Sequence, residues 1–382
     1  MKFSVETLKN VVAVNNSIIG NQNLRKDGPL SYLTFIIQNG VLYTVAQGSK
    51  NLSTLAMLNT VGETDEPNGV YAIDGNKFNK TLSECVEEVD LVFINNETNY
   101  AVELHTEFGV IKFSVYRVED ISSDTRFSQI IPYLLEQQAE VEANGEEVLK
   151  ETWVDATQIA NVERSDGFVQ NPFIFERNLV GMELPFFILR YRTELPINFG
   201  TELDIVRVLT STLAVADDTT KVDITTDGRS TNFRFSSNGV FLVVRKVSTH
   251  TQRINEHTWE QDPNYTGKVN LETLRRLVRI SSIFTDFEDD IEVEWDFGNK
   301  TAHIKNQGVD NVSQSGINTQ LTFTHDSETQ DVITTGIHGK TLIKLLSYTN
   351  DEDVSVEIIP SQRKLHIVFT EGDLYVYYKS FS

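Results

Sequence analysis

HGKTLIKLLSYT at residues 338–349 leads into DVSVEI at 353–358, LHIVF at 365–369 and LYVYYKS at 374–380. Leu342, Leu345 and Leu346 recur at i, i+3 and i+4, the spacing of one helical face. Val354, Val356 and Ile358 alternate with period two, as do Leu365, Ile367 and Phe369, the spacing of half-buried strands. Polar turns at 360–364 and 370–373 separate the strands. The stretch predicts one helix followed by an antiparallel meander of three strands.

The same unit occurs twice upstream. A helix over 75–86, with Phe78, Leu82 and Cys85 on one face, precedes LVFIN, YAVELH and VIKFSVYRV. A helix over 201–213, with Leu203, Val206 and Leu209 aligned, precedes KVDITT, TNFRFS and VFLVVRKV. Asp227-Gly228 and Asn238-Gly239 are strong hairpin signals within that second meander. The three meanders lie about 130 residues apart, a period that outranks any local motif.

Each unit also follows an earlier helix and strands. The earlier helices carry Val5, Leu8, Val11, Val12, Ile18 and Ile19 in the first case, and Val154, Ile159 and Val162 (within 151–163) in the second. Leu271, Leu274, Leu277, Val278 and Ser281, within 270–284, mark the third. Strands are expected at 32–37, 42–46, 52–58, 70–73, 173–176, 186–191, 291–297, 301–305, 320–324 and 332–336. The prediction is an α+β fold of three domains, each of two helix-plus-antiparallel-sheet halves. Such a half has one apolar helical face and one apolar sheet face, and must stack on another half to bury both. The expected boundaries are 1–122, 123–255 and 256–382. Residues 123–150, acidic and poor in turns, read as an inserted connector, part helix.

The 382 residues carry a formal net charge of −22, with 40% hydrophobic and 23% charged side chains. That mix is ordinary for a globular protein, and the length predicts two or three domains. No apolar run approaches the ~20 residues that cross a bilayer, and MKFSVETLKN lacks the apolar segment of a secretion signal. The single cysteine, Cys85, excludes an internal disulfide framework and fits a reducing cytoplasm. Histidines are scattered without HxxxH or HExxH spacing, so no metal and no cofactor is expected. An acidic chain repels nonspecific partners and is unlike a protein that coats nucleic acid. Contact with DNA would require the basic residues to gather on one surface.

No enzyme is expected. GxxxxGK[ST], GxGxxG and GxSxG are absent. Asp217-Asp218 and Asp289-Asp290 look like paired metal carboxylates, but both follow a helix and precede a strand, where aspartates make turns. Cys85 lies on an inward helical face with no placed histidine, and reads as core.

MKFSVETL at the start, RKDGPLSYLTF after the first helix, VNLETLRRLVRI opening the last third, and TLIKLLSYTNDEDVSVEI with LYVYYKSFS at the end resemble the bacterial-type DNA sliding clamp. This is the β-subunit processivity factor of a replicative polymerase, and the resemblance covers essentially the whole chain. The central domain matches least: a TDG-type stretch has no clear counterpart near 186–195, and 123–150 is extra. These departures point to a divergent, viral (phage) member. The resemblance implies sheets outside and helices inside a homodimeric ring that encircles duplex DNA without reading its sequence. It also implies a polymerase and a clamp loader held through short peptides, in the cytoplasm, or the host cytoplasm for a virus.

Residue by residue, Arg25 and Lys26 occupy the loop position that contacts DNA in that family. Lys9, Lys77, Lys80, Arg207, Arg275, Arg276, Arg279, Lys340 and Lys344 lie on repeat helices. Each alone reads as a solvated charge, and the resemblance implies that the set lines the channel. The family's C-terminal residues wall a peptide groove, which here implies Val376, Tyr378, Lys379, Ser380 and Phe381, faced by His338 and Thr341. Without the resemblance the same tail reads as a frayed edge strand. A repeat-built, β-rich structural or virion assembly protein without DNA contact stands as the other whole-chain reading.

Overall fold

The computed structural model describes residues 1–20, 32–50, 53–96, 99–116, 127–158, 173–176, 179–183, 187–227, 230–247, 265–283, 291–305, 318–324, 330–337, 343, 346, 352–359, 364–369 and 374–379. The first repeat holds β1 (Lys2–Ser4), α1 (Val5–Ile19), β2 (Leu33–Gln38), β3 (Val41–Lys50), β4 (Ser53–Glu63), β5 (Gly69–Ile73), α2 (Gly75–Ser83), β6 (Glu88–Asn96), β7 (Asn99–Thr106) and β8 (Gly109–Ser114). After α3 (Phe127–Asn144) the second holds β9 (Glu146–Leu149), α4 (Lys150–Gln158), β10 (Phe173–Glu176), β11 (Leu179–Glu183), β12 (Phe187–Arg192), β13 (Phe199–Thr201), α5 (Leu203–Leu213), β14 (Thr219–Asp227), β15 (Ser230–Ser237) and β16 (Val240–Arg245). The third holds β17 (Tyr265–Asn270), α6 (Leu271–Ile283), β18 (Ile291–Asp296), β19 (Thr301–Lys305), β20 (Asn318–Thr324) and β21 (Val332–Ile337). Ile343 and Leu346 are helical, and β22 (Asp353–Ile359), β23 (Lys364–Phe369) and β24 (Leu374–Lys379) follow.

The repeats share one wiring. The strand orders β1-β6-β7-β8, β9-β14-β15-β16 and β17-β22-β23-β24 match, as do β5-β2-β3-β4 and β21-β18-β19-β20. One backbone hydrogen bond recurs three times. The N–H that opens the first helix donates to the carbonyl just before the meander: Val5 to Glu87 at 3.0 Å, Lys150 to Asp218 at 2.8 Å, Leu271 to Glu352 at 2.9 Å. Polar caps start the helices. Ser4 Oγ accepts the Thr7 N–H at 3.1 Å, Asp74 Oδ1 that of Lys77 at 3.0 Å, and Asn270 Oδ1 that of Thr273 at 3.0 Å. At the β15–β16 hairpin Asn238 and Gly239 take φ of 47° and 69°, the positive pair a tight two-residue turn needs.

Contacts gather the chain into two compact units, 1–155 with 196–250 and 156–195 with 251–382. The division cuts the second repeat because strands pair across repeats. In the first unit β4 pairs with β16, from Asn59 opposite Val240 to Thr54 opposite Arg245, making the sheet β5-β2-β3-β4-β16-β15-β14-β9. In the second, β12 pairs with β24, from Phe187 opposite Tyr378 to Tyr191 opposite Leu374.

Apolar packing fills the first unit. Phe35 meets Phe78 and Phe93 edge-on, with ring centroids 5.6 and 5.7 Å apart. Trp153 and Phe199 pack on Phe233 at 5.9 and 4.5 Å. A buried polar triad ties α1 to the sheet: Asn15 donates to Thr44 Oγ1, and Asn59 donates to Asn15 Oδ1 at 3.0 Å.

Three expectations change. Residues 127–149 are no connector: α3 packs on the sheet face opposite α1, and β9 completes the sheet edge beside β14. The eight-stranded sheet is therefore covered over part of both faces. The tail is no edge strand, because β24 is paired on one side with β12 and on the other with β23. β11 was not foreseen, since Gly181 inside it weakens the strand signal. The helix expected over 151–163 is α4, and its expected end at 159–163 lies outside the described residues.

Candidate nucleic-acid interface and strand edges

Three basic side chains share one task. Lys9 Nζ donates to the carbonyls of Ser83 and Cys85 at 3.3 and 3.1 Å, at the end of α2. Lys150 Nζ donates to the carbonyl of Ala216 at 2.9 Å, just past α5. Arg275 donates from Nε to the carbonyl of Leu346 at 2.8 Å and again from Nη2, with Nη1 3.6 Å from Glu272. The last carbonyls of a helix lack partners within it and carry the negative end of its dipole, so a cation there satisfies both. In the first two repeats a first-helix cation thus clips the end of the second helix, and in the third Arg275 holds the carbonyl of the helical Leu346. Lys9 and Arg275 hold the same place in the matching runs SVETLK (4–9) and NLETLR (270–275). That internal match was the available signal. Lys150, in the second repeat, was not foreseen.

The other described cations expected to line the channel are exposed or partly exposed. Lys77 and Lys80 are exposed one turn apart on α2, with Lys77 Nζ 3.6 Å from Asp74. Arg276 and Arg279 are exposed one turn apart on α6. Arg207, on α5, sits 3.6 Å from the buried Asp204 carboxylate. A cation that reaches solvent is open to a phosphate, which is what sequence-independent backbone contact requires. Arg25, Lys26, Lys340 and Lys344 lie outside the described residues.

Of the expected groove, β24 fixes the positions of Val376, Tyr378 and Lys379. Val376 lies opposite Leu189 and Ile367, Tyr378 opposite Phe187 and Leu365, and Lys379 opposite Lys364. His338, Thr341, Ser380 and Phe381 lie outside the described residues. Cys85 is buried, donates to the Thr81 carbonyl at 3.5 Å, and burial, then Glu107, pushes its thiol up. It is thus held as a thiol, away from the thiolate a nucleophile needs. Asp218 takes the Lys150 N–H in the turn before β14, and Asp289 and Asp290 lie outside the described residues.

Among the described residues the third pairing of the seam series is not made. β4 pairs with β16 and the corresponding β12 pairs with β24. The next members of the two series are β20 and β8. Among the described strands β8 pairs only with β7, and β20, beyond its ladder with β19, pairs with β17 only at Phe323 and Thr324. Beside β8, Phe108 and Val110 are 75% and 57% exposed. Val86 is exposed too, and its N–H donates to Glu107 Oε1 at 3.2 Å, which places it by the β7–β8 turn.

No family model and no curated protein matches the sequence. Solved structures do match over the full length. DNA polymerase III β subunit from Thermotoga maritima aligns with a TM-score of 0.77 at 12% identity, covering 100% of this chain and 98% of that one. The subunit from Borrelia burgdorferi gives 0.75 at 13%, covering 100% and 97%, and that from Pseudomonas aeruginosa 0.74 at 10%, covering 100% and 99%. Repeat wiring, sheet order and full-length likeness agree: on a widely diverged sequence, this chain has the fold of the bacterial DNA polymerase III β-subunit sliding clamps.

Proposed function

We propose that the protein is a DNA sliding clamp: two chains join head to tail through β8 and β20 and encircle duplex DNA. The carrying observation is the seam pattern: two of three equivalent strand pairings are made within the chain, and for the third, among the described residues, β8 has one edge open and β20 is paired beyond β19 only at Phe323 and Thr324. A second copy supplies the missing partner twice, and such a heterologous contact closes when the rotation per subunit allows it. The exposed Phe108 and Val110 suit an apolar joint.

On this reading the domains are 1–122, 123–255 and 256–382, and the exposed Lys77, Lys80, Arg276 and Arg279 and the partly exposed Arg207 meet phosphates, with Arg25, Lys26, Lys340 and Lys344. Lys9 and Arg275 contribute through the helices they clip. The tail residues Val376, Tyr378, Lys379, Ser380 and Phe381, with His338 and Thr341, receive short peptides from a polymerase and a clamp loader. The activity is tethering without a reaction: a ring that cannot leave sideways keeps a weakly bound polymerase at high local concentration. Sedimentation at micromolar concentration is expected to give twice the 43.3 kDa chain mass. A strict monomer contradicts the assembly.

A further inference from the structure

We infer that α3 is a brace across the β4–β16 seam, stiffening the joint between the first two repeats. Ile131, Leu134 and Val141 of α3 are buried against Ile36, Val45 and Leu58 from strands of the first repeat and against Phe241 and Val243 from the second. One helix therefore grips both sides of the seam. Sliding β16 along β4 would pull these side chains out of register with α3, and close-packed interiors resist such a shift.

Polar fastenings fix the same helix to the second repeat. Arg234 on β15, only 4% exposed, donates to both oxygens of Asp223 at 2.8 and 2.6 Å, and reaches up to Gln137 Oε1 at 2.8 Å and Glu140 Oε2 at 2.6 Å on α3. Ser236 donates to Glu142 Oε1 at 3.0 Å. Nearer the seam, the Arg245 guanidinium lies 4.7 Å above the Tyr133 ring. Buried, charge-assisted contacts of this kind hold geometry because breaking one strands a charge.

Strands of the sheet under α3 are built for a cover. LTFII in β2 and VFLVV in β16 are buried at every position, the pattern of strands covered on both faces.

Hydrogen exchange on the full-length protein tests the brace. In the double variant Gln137→Ala/Glu140→Ala, which leaves the Arg234–Asp223 pair intact, protection at 56–59 and 240–245 is expected to fall by tenfold or more. The β6–β7 amides should stay unchanged. Unchanged protection at 56–59 and 240–245 in the double variant overturns the inference, as does a uniform loss that includes β6 and β7.

Discussion

The Arg275 guanidinium donates to the Leu346 carbonyl from Nε at 2.8 Å, joining two helices 71 residues apart in sequence. Its neighbours Arg276 and Arg279 stay on the exposed side of the same helix. Arg275→Ala should therefore cost about 1.5–3 kcal/mol of stability, the scale of a charged hydrogen bond, and leave the salt dependence of DNA binding nearly unchanged. Arg276→Ala with Arg279→Ala should do the reverse, weakening binding to all sequences alike and lowering the salt slope by about one unit per lost phosphate contact. Denaturant melts and a salt titration of DNA affinity separate the two. A salt slope that falls with Arg275→Ala would return that residue to the DNA surface.

Phe108 and Val110 stand exposed beside the unpaired edge of β8. Phe108→Asp with Val110→Asp puts charges where the proposed joint is apolar, and is expected to turn the dimer into a folded monomer. Sedimentation gives the mass and far-ultraviolet circular dichroism checks the fold. A double variant that remains dimeric would place the joint elsewhere.

The pairing of β24 on both sides makes the position of a C-terminal cut decisive. Ending the chain after Tyr375 removes Val376 and Tyr378 from a seam and should destabilise the second unit. Ending it after Lys379 removes only residues 380–382, and is expected to keep the fold while lowering affinity for the polymerase's C-terminal peptide by tenfold or more, about 1.4 kcal/mol. A peptide titration on intact and shortened protein reads this, and unchanged affinity would move the peptide site away from the tail.

Burial, then the neighbouring Tyr100 and Glu66, pushes the Tyr71 phenol up to about 12 from 10.0. The folded state favours the neutral phenol, so this contribution to stability is complete below pH 10 and is lost as pH rises through about 12. Tyr71→Phe removes the titrating group. Urea midpoints at pH 9 and pH 11.5 should fall less in Tyr71→Phe than in the wild type, and an equal fall would mean that Tyr71 ionises as freely as in the unfolded chain.

The repeat was legible because Leu342, Leu345 and Leu346, and the alternation around Val354 and Leu365, are local patterns. The seams were not, because pairing between β12 and β24 depends on residues far apart in sequence. α3 carries a helical stripe in Ile131, Leu134 and Val141, but Pro132 inside it and its acidic outer face made the segment look like a connector. The continuous apolar runs of β2 and β16 were the signal that a second cover was needed. Lys9 and Arg275 looked like surface charges because a cation on a helix reads that way locally. Their acceptors lie 76 and 71 residues away.

Two chains should close into a ring, and single-particle electron microscopy of the purified protein shows whether they do. Class averages should show a two-chain ring with a central hole wide enough for duplex DNA. A solid particle, or an open chain of subunits without a hole, would mean that the protein does not encircle DNA.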